Sequence, residues 1–156
     1  MKATVKSIQE KKGRGKIAAL TAYDFPFARI LDEVGMDIIL VGDSLGMVLL
    51  GYESTLRVTM REMLHHTKAV ARAVKGALVV SDMPFGSYQS FPEQAFRNAK
   101  RFIVEGGADA VKLEGAGPLV KTVKGLSQAG IPVMGHLGMT PQTSTFVGGY
   151  KVQGRE

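Results

Sequence analysis

Two carboxylates in this chain stand where a carboxylate can do chemistry. Asp43 lies in VGDSLG and Asp82 in VVSDMPFG, each just past a short apolar run and each followed by a long loop. One such Asp, taken alone, reads as a helix cap or a turn residue. Two of them at the tops of adjacent strands repel unless a cation stands between them. Hard oxygen donors in a chain without cysteine favour Mg2+, which keeps several waters and takes one or two carboxylates together with substrate oxygens. Glu114, in VKLEG, is a third carboxylate in an equivalent position. It either ligates the metal directly or holds a metal-bound water. Lys112 precedes Glu114 by two residues, so along a strand both side chains point the same way. Lys112 is either a salt-bridge partner of Glu114 or Asp82, or the cation that receives a substrate carboxylate. Ser44 and the backbone N–H groups of the 42–46 loop can donate to the same anion. His136 directly follows the run PVMG and reads as a rim residue facing the same place, with a buried structural histidine as the alternative.

These residues can meet only if the segments before them are neighbouring strands of one sheet. From residue 16 onward a short apolar run, a loop and an amphipathic stretch repeat five times. The pattern predicts strands over 17–21, 37–41, 77–81, 110–113 and 132–135. The first helix is capped by Asp24, carries an apolar stripe of Phe27, Ile30, Leu31 and Val34, and stops at Gly35. Thr59 with Glu62 forms a capping box for a helix through Val74. A third helix starts near Phe91 with Pro92 in its first turn and ends at Gly106 and Gly107. A fourth covers 118–129 and is terminated by Gly130. The segment 42–58 reads as one long loop.

Continuous apolar strands alternating with helices predict an α/β protein with a parallel sheet buried on both faces. No G-x-G-x-x-G follows the first strand, which weakens a dinucleotide fold. Polar residues follow almost every strand: Tyr23 and Asp24, Asp43 and Ser44, Asp82, Glu114, His136. In a (β/α)8 TIM barrel all of them converge on one mouth, whereas an open sheet would spread them along an edge. A barrel of this kind takes roughly 200 to 250 residues. The 156 residues here are therefore expected to be the N-terminal portion of a single barrel domain, its first five βα units, with the C-terminal units absent.

Composition excludes several classes. Apolar residues make up 45% and charged residues 22% of the chain, as in ordinary globular proteins. The net charge of +6 is concentrated in Lys2, Lys6, Lys11, Lys12, Arg14 and Lys16, against Glu10 alone. Without an accompanying nucleic-acid motif, this reads as a solvated basic segment and not as a nucleic-acid partner site. No cysteine means no disulfide and no thiolate metal site. There is no apolar signal core and no membrane-length apolar run, so no membrane partner and a cytoplasmic location are expected.

The strings LTAYDFPFARILDEVGMDIILVGDSLG, SDMPFGSY, AVKLEG and PVMGHLGMTPQ resemble the ketopantoate hydroxymethyltransferase (3-methyl-2-oxobutanoate hydroxymethyltransferase) family over nearly the whole chain. A wider superfamily with phosphoenolpyruvate mutase and isocitrate lyase shares the Asp-Ser after the second strand. The resemblance implies a metal-dependent (β/α)8 enzyme of pantothenate biosynthesis. It matches Asp43, Asp82 and Glu114 to the metal site, and Asp43, Ser44, Asp82, Lys112 and His136 to the substrate, with His136 in a supporting role. It further implies transfer of a one-carbon unit from 5,10-methylenetetrahydrofolate to 3-methyl-2-oxobutanoate through a metal-stabilised enolate, giving 2-dehydropantoate. A homo-oligomer, specifically a decamer, is also implied. The family's general base is a glutamate after a later strand, expected beyond Glu156. Glu156 itself closes a loop motif and is not assigned that role. Two other readings remain open at this stage: another metal-dependent 2-keto-acid lyase or mutase on the same scaffold, and a half-barrel acting only as a binding or assembly module.

Overall fold

A computed structural model describes residues 2–147 and Gly149, with backbone alone for 145–147, so that Glu156 lies outside the described residues. The chain runs α1 (Val5–Glu10), β1 (Ala19–Thr21), α2 (Phe25–Glu33), β2 (Ile38–Val41), α3 (Leu45–Val48), α4 (Met60–Ala73), β3 (Leu78–Asp82), α5 (Pro92–Val104), β4 (Ala110–Glu114), α6 (Leu119–Gln128) and β5 (Val133–His136). The five strands form one sheet in the order β1-β2-β3-β4-β5, every neighbouring pair parallel. An open doubly wound sheet reverses its strand order at a switch point. Here the order never reverses, as in a segment of barrel wall.

Strand periodicity divides the side chains between two faces. Ile39, Val41, Val79, Val111 and Leu113 point outward into a core shared with Leu31, Met63, Val70, Ala99, Phe102 and Leu126 of the helices. Ile38, Leu78, Val80 and Ala110 point inward, where Val5 and Ile8 of α1 pack against them. Two residues further along the same inward face come Asp82 and Lys112, then Glu114, with Asp82 paired to Lys112 and Glu114 to His136 in the register. The inner face is therefore apolar at the start of the strands and ionic at their ends.

Four sequence expectations need correction. The basic N-terminal segment has exposed lysines, as expected of a solvated arm, but its apolar side is docked on the sheet. Thr4 and Ser7 cap α1 reciprocally, and its Val5 and Ile8, three residues apart, cover the lower barrel interior. Lys2 pairs with Asp109 at 2.7 Å and Lys11 with Asp37, and these aspartates also accept from the N–H groups of Val79 and Ala18 at the neighbouring strands. Second, 42–58 is not one loop: α3 begins two residues after Asp43, and a 3-10 turn covers Thr55–Arg57. Third, only part of the α2 stripe is buried. Ala28 and Leu31 face the core, whereas Phe27, Ile30 and Val34 are 45%, 50% and 64% exposed, because no described element packs on that side. Fourth, β3, β4 and β5 each run one residue past the expected end, since ladder pairing continues through Asp82, Glu114 and His136. The expected caps and stops hold at Asp24, at the Thr59–Glu62 box, at Gly35 and at Gly130. Among the described residues, no helix is long and apolar enough to cross a membrane.

Candidate active site

The site is assembled by the ends of four parallel strands. β2 delivers Gly42 and Asp43; a Cβ at Gly42 would stand 2.8 Å from Ser44 Oγ and 3.5 Å from Asp82 Oδ2, so the absent side chain lets the two strand ends approach. β3 ends on Asp82. Its neighbour Ser81 points the other way, to Thr67 on α4, at 2.8 Å. That bond seats β3 against α4 and so fixes the height of Asp82. Ser44 Oγ lies 2.8 Å from the Tyr23 hydroxyl, and His66 Nδ1 is 2.7 Å from the Tyr23 carbonyl, which ties the β1 loop to α4.

The charged groups form one continuous network. Lys112 Nζ donates to Asp82 Oδ1 at 2.6 Å and lies 3.7 Å from Glu114 Oε1. Asp82 Oδ2 accepts from the Asp43 N–H at 3.1 Å. His136 Nδ1 is 3.0 Å from Glu114 Oε1, and Glu114 Oε2 accepts from the Gln142 N–H at 3.0 Å. The Gln142 side chain donates from Nε2 to Asp43 Oδ2 at 2.7 Å. Every oxygen of Asp82 and Glu114 thus has a protein donor, and so does Asp43 Oδ2. Among the described residues Asp43 Oδ1 has none.

Asp43, Asp82 and Glu114 are each at most 4% exposed, with Lys112 the lone lysine among them. Desolvation, then the charge of Asp82, pushes the Asp43 carboxyl up to about 7, against the Gln142 donor and Lys112. Desolvation likewise raises Asp82, opposed by Lys112. Burial also raises the Tyr88 hydroxyl, keeping it a neutral phenol. Three buried acids facing one lysine favour a further cation on charge grounds. Among the described residues no group of three or more His, Cys, Asp or Glu side chains is placed to hold a metal ion. An open site of one or two carboxylates with positions left for water and substrate is the arrangement Mg2+ takes, and the donor-free Asp43 oxygen fits it.

Of the residues singled out in the sequence, Asp43, Asp82, Lys112, Glu114 and His136 come together in this network, while Ser44, next to Asp43 in the chain, bonds to the Tyr23 hydroxyl. The salt-bridge reading of Lys112 is the one the geometry displays. Asp24 does not reach the site; it caps α2 by accepting from the Phe27 N–H at 2.8 Å. Gln142 and Tyr88 were missed. Tyr88 accepts from the Glu114 N–H at 3.0 Å and donates to Gln142 Oε1 at 2.7 Å. The available signal was weak: a tyrosine and a glutamine in the loops that follow two rim residues.

The model of the family described as Ketopantoate hydroxymethyltransferase matches residues 2–156. The chain belongs to this family. The 3-methyl-2-oxobutanoate hydroxymethyltransferase of Thermoanaerobacter sp. (strain X514) is 65% identical over 147 residues, covering 94% of this chain and 53% of the relative. That of Carboxydothermus hydrogenoformans is 58% identical over 156 residues, covering 99% of this chain and 56% of the relative. The chain thus spans about half the length of the curated relatives it matches. Among solved structures, 2,3-dimethylmalate lyase, a PEP mutase/isocitrate lyase superfamily member, superposes with a TM-score of 0.61 at 15% identity, over 86% of this chain and 52% of that one. This likeness concerns the fold, and it agrees with the unreversed strand order: these are the first five strands of a (β/α)8 barrel with the helices between them.

Proposed function

We propose that this chain carries the metal and keto-acid half of an enzyme that transfers a hydroxymethyl group from 5,10-methylenetetrahydrofolate to 3-methyl-2-oxobutanoate, giving 2-dehydropantoate for pantothenate biosynthesis. Family membership supports the reaction class. The observation that carries the site assignment is the buried carboxylate pair with one oxygen, Asp43 Oδ1, left without a donor.

Asp43 and Asp82 would hold Mg2+. Glu114, tied to His136 and to the Gln142 N–H, would join them as a third ligand or hold a metal-bound water. When bound, the metal supplies Lewis acidity that draws charge off the keto oxygen and makes the adjacent C3–H more acidic. Lys112 provides the positive charge that receives the substrate carboxylate and Ser44 orients it, whereas the expected 42–46 backbone donors are largely taken: the N–H groups of Asp43, Leu45 and Gly46 already bond to Asp82, Gly42 and Asp43. His136, held at Nδ1 by Glu114, presents its other ring nitrogen to the substrate in a fixed orientation. The base that removes the C3 proton would be a glutamate after a later strand, beyond residue 156. A cytoplasmic location and a homo-oligomer belong to the same proposal, and exposed apolar side chains such as Val34 and Val48 would be available to subunit contacts or to the rest of the barrel.

The test is synthesis of 2-dehydropantoate by the full-length protein with and without Mg2+. Asp82→Ala is expected to abolish metal-dependent turnover, and unchanged activity of that variant at saturating Mg2+ would sink the assignment.

A further inference from the structure

We propose that Gln142 is a positioning residue that fixes the Asp43 carboxylate for its cation, an inference that rests on the metal-dependent reading above. The hydrogen-bond chemistry around its amide admits one orientation. Met83 C=O and the Asp43 carboxylate can only accept, and Gln142 Nε2 donates to them at 2.9 Å and 2.7 Å. Turning the amide over would set its oxygen against two acceptors. Oε1 instead accepts from the Tyr88 hydroxyl at 2.7 Å and from Gln89 Nε2 at 3.2 Å. Tyr88 has a single proton to give. Its oxygen accepts from the Glu114 N–H, and of the two acceptors within reach of its proton, Gln142 Oε1 at 2.7 Å is nearer than the Glu114 carbonyl at 3.2 Å. With its backbone N–H on Glu114 Oε2, Gln142 is 2% exposed and its polar side-chain atoms are all paired.

This lock has a consequence for Asp43. With Oδ2 tied to Gln142, the carboxylate cannot rotate without breaking a buried bond, and Oδ1 is the oxygen left for a cation. Gln142 also joins the ends of β2, β3 and β4 through Asp43, Met83 and Glu114, so one loop residue sets the spacing of the two outer carboxylates. Packing alone does not call for an amide here, since methionine has nearly the same length and shape. Partners that orient a metal ligand typically account for about 10- to 100-fold in metal affinity.

The experiment is calorimetric titration of Mg2+ into the full-length protein, its Gln142→Met variant and its Tyr88→Phe variant, with circular dichroism to verify folding. Gln142→Met is expected to bind Mg2+ about 10- to 100-fold more weakly, and Tyr88→Phe, which leaves the Asp43 contact but releases the amide, about 3- to 10-fold more weakly. A merely structural glutamine would lower the melting temperature and leave the affinity of the folded protein alone. Affinity of Gln142→Met within about twofold of the parent overturns the inference and leaves the proposed function standing. If Gln142→Met does not fold, Tyr88→Phe decides in the same way. A parent protein that takes up no Mg2+ removes the proposed function and this inference together.

Discussion

Replacing Lys112 by methionine should expose how strongly the acidic cluster depends on its one lysine. The ammonium stands 2.6 Å from Asp82 Oδ1 and 3.7 Å from Glu114 Oε1, with the three side chains 12%, 5% and 3% exposed. At an effective dielectric near 20 those distances correspond to roughly 6 and 4 kcal/mol of Coulomb attraction. Desolvating the ammonium offsets several kcal/mol of this, and removing one partner of a buried pair typically costs about 3–5 kcal/mol. Methionine keeps the length of the stem, so the loss isolates the charge. The variant can relieve part of the repulsion by protonating Asp82, whose carboxyl burial already raises. A folded-state pKa above the unfolded one means that stability falls as pH rises, so the deficit should open above the unfolded value of about 3.9 and widen toward neutrality. Urea unfolding followed by far-ultraviolet circular dichroism, in EDTA at pH 5 and pH 8, measures it. A loss below about 1 kcal/mol at pH 8 would refute the reasoning, because that is the behaviour of a solvated surface pair.

Two further perturbations test the supports of the site. Asp32 accepts from the N–H groups of Lys75 at 2.7 Å, Gly76 at 2.9 Å and Ala77 at 2.7 Å, tying α2 to the turn before β3. Desolvation works to raise its carboxyl pKa, but these three donors together outweigh it and hold the group below its usual range. Its stabilisation is therefore present above about pH 3.9 and lost as pH falls through the folded value. Asp32→Asn should cost about 1–2 kcal/mol at pH 7 and much less at pH 3, and equal deficits at both pH values in urea titrations would reject the ionic explanation. At Gly46, a Cβ would stand 2.4 Å from Val58 Cγ2 and 3.2 Å from Tyr52 Cδ2. Gly46→Ala should then destabilise by about 1–3 kcal/mol through overpacking beneath the Asp43 loop, and an unchanged thermal midpoint would show that α3 can shift freely.

Asp43, Asp82, Lys112, Glu114 and His136 were legible in the sequence because their arrangement follows from local rules. Asp43, Asp82, Glu114 and His136 follow apolar runs, and the two-residue period of a strand sends Lys112 and Glu114 to one side. Capping chemistry located the starts of α2 and α4 for the same reason: Asp24 and the Thr59–Glu62 pair act within four residues. Gln142 was not legible, since its contact with Asp43 spans 99 residues and its segment is a 3-10 turn without apolar periodicity. Lysines dominate the composition around α1 and conceal the spacing of Val5 and Ile8, whose burial depends on a sheet formed much later in the chain. The stripe on α2 misled in the opposite sense. Its helical period is correct, but only the Ala28–Leu31 side meets described neighbours.

The central claim is that the strand-end carboxylates hold a divalent metal that in turn makes the site a receptor for a 2-keto acid. Calorimetric titration of 3-methyl-2-oxobutanoate into the full-length protein, once with Mg2+ and once with EDTA, tests it most directly. The account predicts saturable binding with Mg2+ that disappears in EDTA. Equal affinity under both conditions would contradict it, since the keto acid would then be held without the cation that Asp43 and Asp82 are proposed to supply.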